Sequence, residues 1–131
     1  MKRLILEKLE KWKQSKRRKP LLLRGARQVG KTWVLKEFGN TFADGFVHID
    51  FDKQVEYRQF FEQTKDVKRI LDNLALATGK KITPKTLIIF DEIQACESAL
   101  NSLKYFYEDA PQYSVVGAGS LLGLKLASGF S

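Results

Sequence analysis

The sequence has one cysteine, one histidine and no arginine beyond position 69, and each shortage narrows what the chain can be. A single thiol, Cys96, cannot form an internal disulfide, which fits a reducing compartment, so a cytoplasmic location is the expectation. His48 has no metal-type ligands beside it in the sequence and reads as an inert strand residue rather than a catalytic base. No apolar run approaches the roughly 20 residues that span a bilayer, so no membrane partner is expected. The N-terminus has charges but no apolar core followed by a small-residue cleavage site, which argues against a signal peptide. An Asn-Lys-x-Asp stretch, the base reader of guanine-specific GTPases, is absent, as are internal repeats and low-complexity tracts.

What is present is one domain's worth of chain, 131 residues with 44% hydrophobic and 29% charged side chains, enough to bury a core. The net charge of +8 suggests nucleic acid until it is located. Residues 1–20 hold nine Lys/Arg against two Glu, a net of +7, which leaves +1 for the rest. A nucleic-acid binder usually spreads its cations over a docking face, so the concentration in a leader weakens that reading. Ile5, Leu9 and Trp12 recur at helical spacing over residues 3–13, predicting an amphipathic helix able to pack on the domain downstream of it. Lys16-Arg17-Arg18-Lys19 and Pro20 end it. This basic run is either a solvated linker or a contact for an anionic partner. The expected division is residues 1–19 as leader helix and linker, and 20–131 as a core.

Along that core, Leu21-Leu22-Leu23 predicts a buried strand, and Trp33 to Phe38 a helix stopped by Gly39. Residues 45–52 predict a second strand with Phe46 and Phe51 on opposite faces, covered on both sides as in a parallel sheet. Asp50 and Asp52 at its end are candidate supporting groups near a ligand, or turn residues. Residues 55–77 are helical in pattern, with an apolar patch of Val55, Phe60 and Phe61, a stripe of Val67, Ile70, Leu71 and Leu74, and a stop at Gly79. Thr86 to Phe90 predicts a third, buried strand, residues 97–108 a helix, and Tyr113 to Gly117 a fourth strand. Strand and helix alternating four times predict α/β architecture: a mostly parallel three-layer sheet with crossover helices.

Gly25-Ala26-Arg27-Gln28-Val29-Gly30-Lys31-Thr32 fits G-x-x-x-x-G-K-[ST] at every fixed position, between the first strand and a helix that includes Trp33. That context separates a phosphate-binding loop from a chance match in a surface loop. Glycines let backbone N–H groups curl round phosphate oxygens, and the helix N-terminus adds positive partial charge. Lys31 is the expected bridge between β- and γ-phosphate oxygens, and the Thr32 hydroxyl the expected Mg²⁺ ligand. The stretch Gly25 to Trp33 is thus the candidate nucleotide-binding segment.

The third strand delivers Asp91 and Glu92. An acidic pair after an apolar strand says little alone; joined to the glycine loop it predicts Asp91 at the metal and Glu92 polarising the attacking water. Adjacent strand-end carboxylates point to different sides, which permits separate roles. Ser120, ending the fourth strand, is either a contact to the γ-phosphate or the water, or an N-cap for Leu121-Leu122.

These stretches together resemble a known family. Leu22 to Thr32, Ile88-Ile89-Phe90-Asp91-Glu92-Ile93-Gln94 with Cys96-Glu97 and Ala99-Leu100, Leu103 to Pro111, and Ala118 to Gly123 look like the AAA-type ATP-binding domain of bacterial and archaeal ATPases. Those proteins carry a second C-terminal domain of uncharacterised function, DUF4143. The resemblance implies ATP with Mg²⁺, hydrolysis dependent on Glu92, and Ser120 as a sensor. It also implies a fifth strand, a helical lid and the C-terminal domain beyond Ser131, so this sequence is expected to be a truncated member. The family usually places finger and lid arginines after the acidic pair, whereas all seven arginines here lie at or before Arg69. An arginine finger contributes about 10³–10⁵ in rate, so turnover is expected to be slow. A homo-oligomer in which Arg24 or Arg27 acts from a neighbouring subunit is compatible with the sequence but not required by it. Two other readings stay open: a nucleotide-dependent switch that alters a partner domain's contacts, and a nucleic-acid module using the basic leader.

Overall fold

The computed structural model describes residues 2–15, 19–25 and 31–120, with the side chains of Lys2, Arg3 and Ser120 left out of the description. Four strands, β1 (Leu21–Gly25), β2 (Phe46–Asp50), β3 (Leu87–Asp91) and β4 (Ser114–Ser120), alternate with helices. These are α1 (Lys2–Gln14), α2 (Lys31–Gly39), α3 (Gln59–Glu62), α4 (Val67–Thr78) and α5 (Glu97–Asp109). All strand pairs are parallel, in the order β1-β4-β3-β2. The expected α/β class with a parallel sheet is what the molecule has.

Alternation along the strands sorts the side chains into two cores. Leu23, Leu87, Ile89, Val116 and Ala118 face Val34, Leu35 and Phe38 of α2 and Leu9 of α1. Val47, Ile49, Ile88, Phe90 and Val115 face α4 and α5, through Ile70, Leu71, Leu74 and Phe106. The result is three layers, with the fully buried β3 in the middle of the sandwich. The chain leaves β1 towards one face and β3 towards the other. The C-terminal ends of these strands therefore flank the kind of crevice where ligands gather in open parallel sheets.

The amphipathic stripe of α1 is used as its spacing predicts. Leu9 is fully buried, with Ile5, Leu6 and Trp12 packed alongside. Trp12 Nε1 donates to Lys19 O at 2.6 Å, and Lys13 Nζ donates to the Thr41 carbonyl at 3.2 Å while sitting 4.3 Å from the Phe42 ring centre. Part of the leader's charge is thus engaged with the body. Leu9→Ala should cost about 2–5 kcal/mol, read as a lowered midpoint in urea unfolding. A change under about 0.5 kcal/mol would show that α1 contributes nothing to the core.

Two expectations need adjustment. The helical pattern over residues 55–77 is not one helix but a 3₁₀ turn, Val55–Tyr57, then α3, then α4. Asp66 makes the break: its Oδ1 accepts from Lys68 N at 3.0 Å and Arg69 N at 3.5 Å, an N-cap that starts α4 afresh. Val55 is 54% exposed and belongs to no core, whereas Phe60 and Phe61 pack as anticipated. At the other end Gly79 adopts φ 71° and closes α4, the left-handed cap that glycine permits. Gly39 has a different reason for its identity. A Cβ there would lie 2.6 Å from Phe46 Cβ, so the residue that ends α2 is glycine because β2 passes against it.

Candidate functional site

Asp91 is the centre of the site. It ends β3 facing the α1/α2 layer and is 2% exposed. A buried carboxylate must find donors, and Asp91 has three. Thr32 Oγ1, in the first turn of α2, donates to Oδ2 at 2.6 Å. His48 Nε2 lies 3.0 Å from the same oxygen, and Glu92 N donates to Oδ1 at 3.0 Å. Burial alone would push the Asp91 carboxyl up. The hydrogen bonds from His48 and Thr32, with the charges of His48 and Lys31, outweigh it, and the group sits below its ordinary value.

The sign of that shift fixes a pH dependence. A carboxylate held below its unfolded value contributes stability above the ordinary carboxylate range and loses it as pH falls through the lowered folded value. Melting curves of the nucleotide-free protein should therefore show the wild-type advantage over Asp91→Asn shrinking towards acid. In His48→Ala, which lacks a donor that lowers Asp91, the acid loss from this carboxylate should be smaller and should finish at higher pH. Identical acid limbs in wild type and His48→Ala would contradict this.

Lys31 opens α2 beside that cluster. Its Nζ is buried and has no hydrogen-bond partner among the described residues, a costly condition for an ammonium. The charge reaches Asp91 only as a longer-range influence. A buried cation with no partner among the described residues, next to a hydroxyl–carboxylate contact, has the chemistry to receive an anionic oxygen.

Glu92 follows Asp91 and is the one residue other than glycine with positive φ among the described residues, at φ 49°, ψ 46°. The left-handed step turns the chain out of β3 into a 3₁₀ turn, Ile93–Ala95. Gln94 Nε2 donates to Glu92 Oε1 at 2.8 Å. Trp33, next in α2 after Thr32, is 53% exposed.

The structure thus brings together Lys31, Thr32 and Asp91 and sets Glu92 beside them. Gly25 ends β1, in register with Ser120 of β4. Ala26, Arg27, Gln28, Val29 and Gly30 lie outside the described residues, as does the side chain of Ser120. Asp50 is a turn residue: its Oδ1 accepts from Asp52 N at 2.9 Å and Lys53 N at 3.0 Å. His48 is the residue that sequence reasoning undervalues. Its place on the Asp91 face depends on the β2–β3 register, His48 opposite Ile89 and Asp50 opposite Asp91. A pairing register is not written in either strand alone. Gln94 is visible in the sequence only as part of a motif, with no role attached.

Hard oxygen donors, one hydroxyl and one carboxylate, suit Mg²⁺, which takes few protein ligands and relies on water and substrate phosphates. The described residues contain no cluster of three or more His, Cys, Asp or Glu able to hold a metal by themselves. No helix among them is long and apolar enough to cross a membrane.

No curated protein sequence matches the chain. Among solved structures, PCH-2 of C. elegans is similar with a TM-score of 0.52 at 14% identity, over 96% of this chain and 40% of that one. At that identity the likeness concerns the fold. A family model described as an AAA domain matches residues 17–129, from just before β1 to beyond β4. With the match spanning nearly the whole chain, and the sheet and site lying inside it, the protein belongs to the AAA domain family.

Proposed function

We propose that the chain binds ATP with Mg²⁺ and hydrolyses it slowly. Family membership supports a nucleotide-binding, ATPase-type function. The observation that carries the more specific reading is Lys31 Nζ, buried without a partner among the described residues, beside the 2.6 Å contact between Thr32 and Asp91. No described residue hydrogen-bonds that ammonium; a phosphate would.

Each residue then has a task. Backbone N–H groups from Gly25 to Thr32, with Trp33 in the first turn of α2, would cradle the phosphates. Lys31 would pair with β- and γ-oxygens. Thr32 directly, and Asp91 through water, would hold Mg²⁺, which neutralises charge on the phosphate oxygens when bound. His48 fixes the Asp91 carboxylate by taking one lone pair of Oδ2, the supporting role that hydrogen-bond partners of metal-site carboxylates commonly play. Glu92 would accept a proton from water as the water oxygen bonds to the γ-phosphorus. The bond from that phosphorus to the β–γ bridging oxygen breaks, and ADP and phosphate leave. Ser120 would contact the γ-phosphate or the water. With no arginine after Arg69 to stabilise the transferring phosphoryl group, the chain should bind well and turn over slowly.

Single-turnover hydrolysis, with protein in excess over γ-labelled ATP, tests the reading. Slow phosphate release that stops on chelating Mg²⁺ is expected. Release at the same rate with and without Mg²⁺ would refute it.

A further inference from the structure

Gln94 carries an unusual arrangement. Its carboxamide N–H₂ donates to Glu92 Oε1 at 2.8 Å, while its own Oε1 is buried and has no partner among the described residues. The amide cannot flip to repair this, because the flipped form would set its oxygen against the Glu92 carboxylate oxygen. Glu92 meanwhile holds a left-handed backbone conformation, disfavoured for a residue that carries a Cβ. Two local costs are thus carried at one pair of residues, and the hydrogen bond between them holds the Glu92 carboxylate. A buried polar atom left unsatisfied calls for a reason of this kind.

The turn that joins the pair is anchored. Ile93 between them is fully buried and lies over Gly117 of β4, where an added Cβ would come 3.0 Å from Ile93 Cδ1. Ala95 N donates to Glu92 O at 3.0 Å and Cys96 N to Ile93 O at 3.1 Å. With the backbone pinned in this way, the Gln94 side chain fixes the Glu92 carboxylate against a rigid frame.

We infer that Gln94 is a positioning residue for hydrolysis, holding Glu92 where it meets the attacking water. This rests on the proposed ATPase reading and assigns Gln94 no contact with the nucleotide. Gln94 therefore matters when the water is engaged in the transition state and not when ATP merely binds.

The test compares two analogues on the full chain: ATPγS, which reports ground-state binding, and ADP with aluminium fluoride, which mimics the planar phosphoryl group with water in line. Gln94→Met keeps length and removes the donor; Gln94→Ala is the second variant. Both should bind ATPγS within about twofold of wild type, which also shows that they fold, and should bind the aluminium fluoride complex on the order of tenfold more weakly. In a Glu92→Gln background the same changes should have no further effect, because Gln94 acts only through Glu92. Equal affinities for the aluminium fluoride complex, equal losses for both analogues, or additive losses in the double variant would each overturn the assignment. A wild type that binds neither analogue would overturn the ATPase reading itself, and this inference with it.

Discussion

Lys31→Met should raise the melting temperature of the nucleotide-free protein while abolishing its response to ATP. The ammonium that the proposed function needs is, without a ligand, a buried cation with no hydrogen-bond partner among the described residues. Replacing it with a thioether of similar length removes that penalty, about 1–3 kcal/mol for an unsatisfied buried group, against the smaller loss of its longer-range attraction to Asp91. For a chain of this size the gain corresponds to a rise of roughly 3–10 °C. The opposite effect appears on adding ATP. Wild type at about a hundredfold excess of nucleotide over Kd should gain about 2.7 kcal/mol of apparent stability. The variant should gain almost nothing, since truncating one partner of a buried charge pair costs about 2–5 kcal/mol of affinity. Thermal scans with and without Mg²⁺·ATP read both effects. A variant less stable than wild type in both conditions would mean that Lys31 is structural.

Glu92→Gln should separate binding from cleavage. The amide keeps the shape of the side chain but cannot take a proton from water, and general-base removal costs about 10²–10⁴ in rate. Single-turnover hydrolysis should fall by that order, while ATP affinity stays within a few-fold. The new amide oxygen can still accept from Gln94 Nε2, the donor that Glu92 Oε1 uses now, so the turn after β3 keeps that contact. A large loss of ATP affinity would place Glu92 in binding instead of catalysis. Unchanged hydrolysis would move the base elsewhere, and His48, already beside Asp91, would be the next residue to replace.

The fold is legible in the sequence where local chemistry decides it. Three leucines before a glycine loop, an all-apolar run from Leu87 to Phe90, and Leu9 at helical spacing with Ile5 and Trp12 each point to one outcome, and the structure has it. The pairing of Thr32 with Asp91, 59 residues apart, is legible through the combination of motifs, because each has a known partner chemistry. The break at Asp66 is hidden, because a capping carboxylate inside a helical pattern looks like any exposed acid until its backbone partners are seen. The contact between His48 and Asp91 is hidden for a deeper reason. It depends on which residues of β2 and β3 stand opposite each other, and both strands are apolar enough to tolerate other registers. The roles of Gln94 and the left-handed Glu92 are equally silent, because neither backbone strain nor an orphaned amide oxygen leaves a mark on residue type.

Nucleotide binding at Lys31 is tested most directly by calorimetric titration of the wild-type chain and of Lys31→Ala with ATP, ADP and GTP, each with and without Mg²⁺. Wild type should bind ATP in a Mg²⁺-dependent manner, with an affinity that weakens on the order of a hundredfold or more in Lys31→Ala, and should bind ATP and GTP unequally. Affinities that are equal across the nucleotides, indifferent to Mg²⁺ and unchanged by Lys31→Ala would contradict the assigned site.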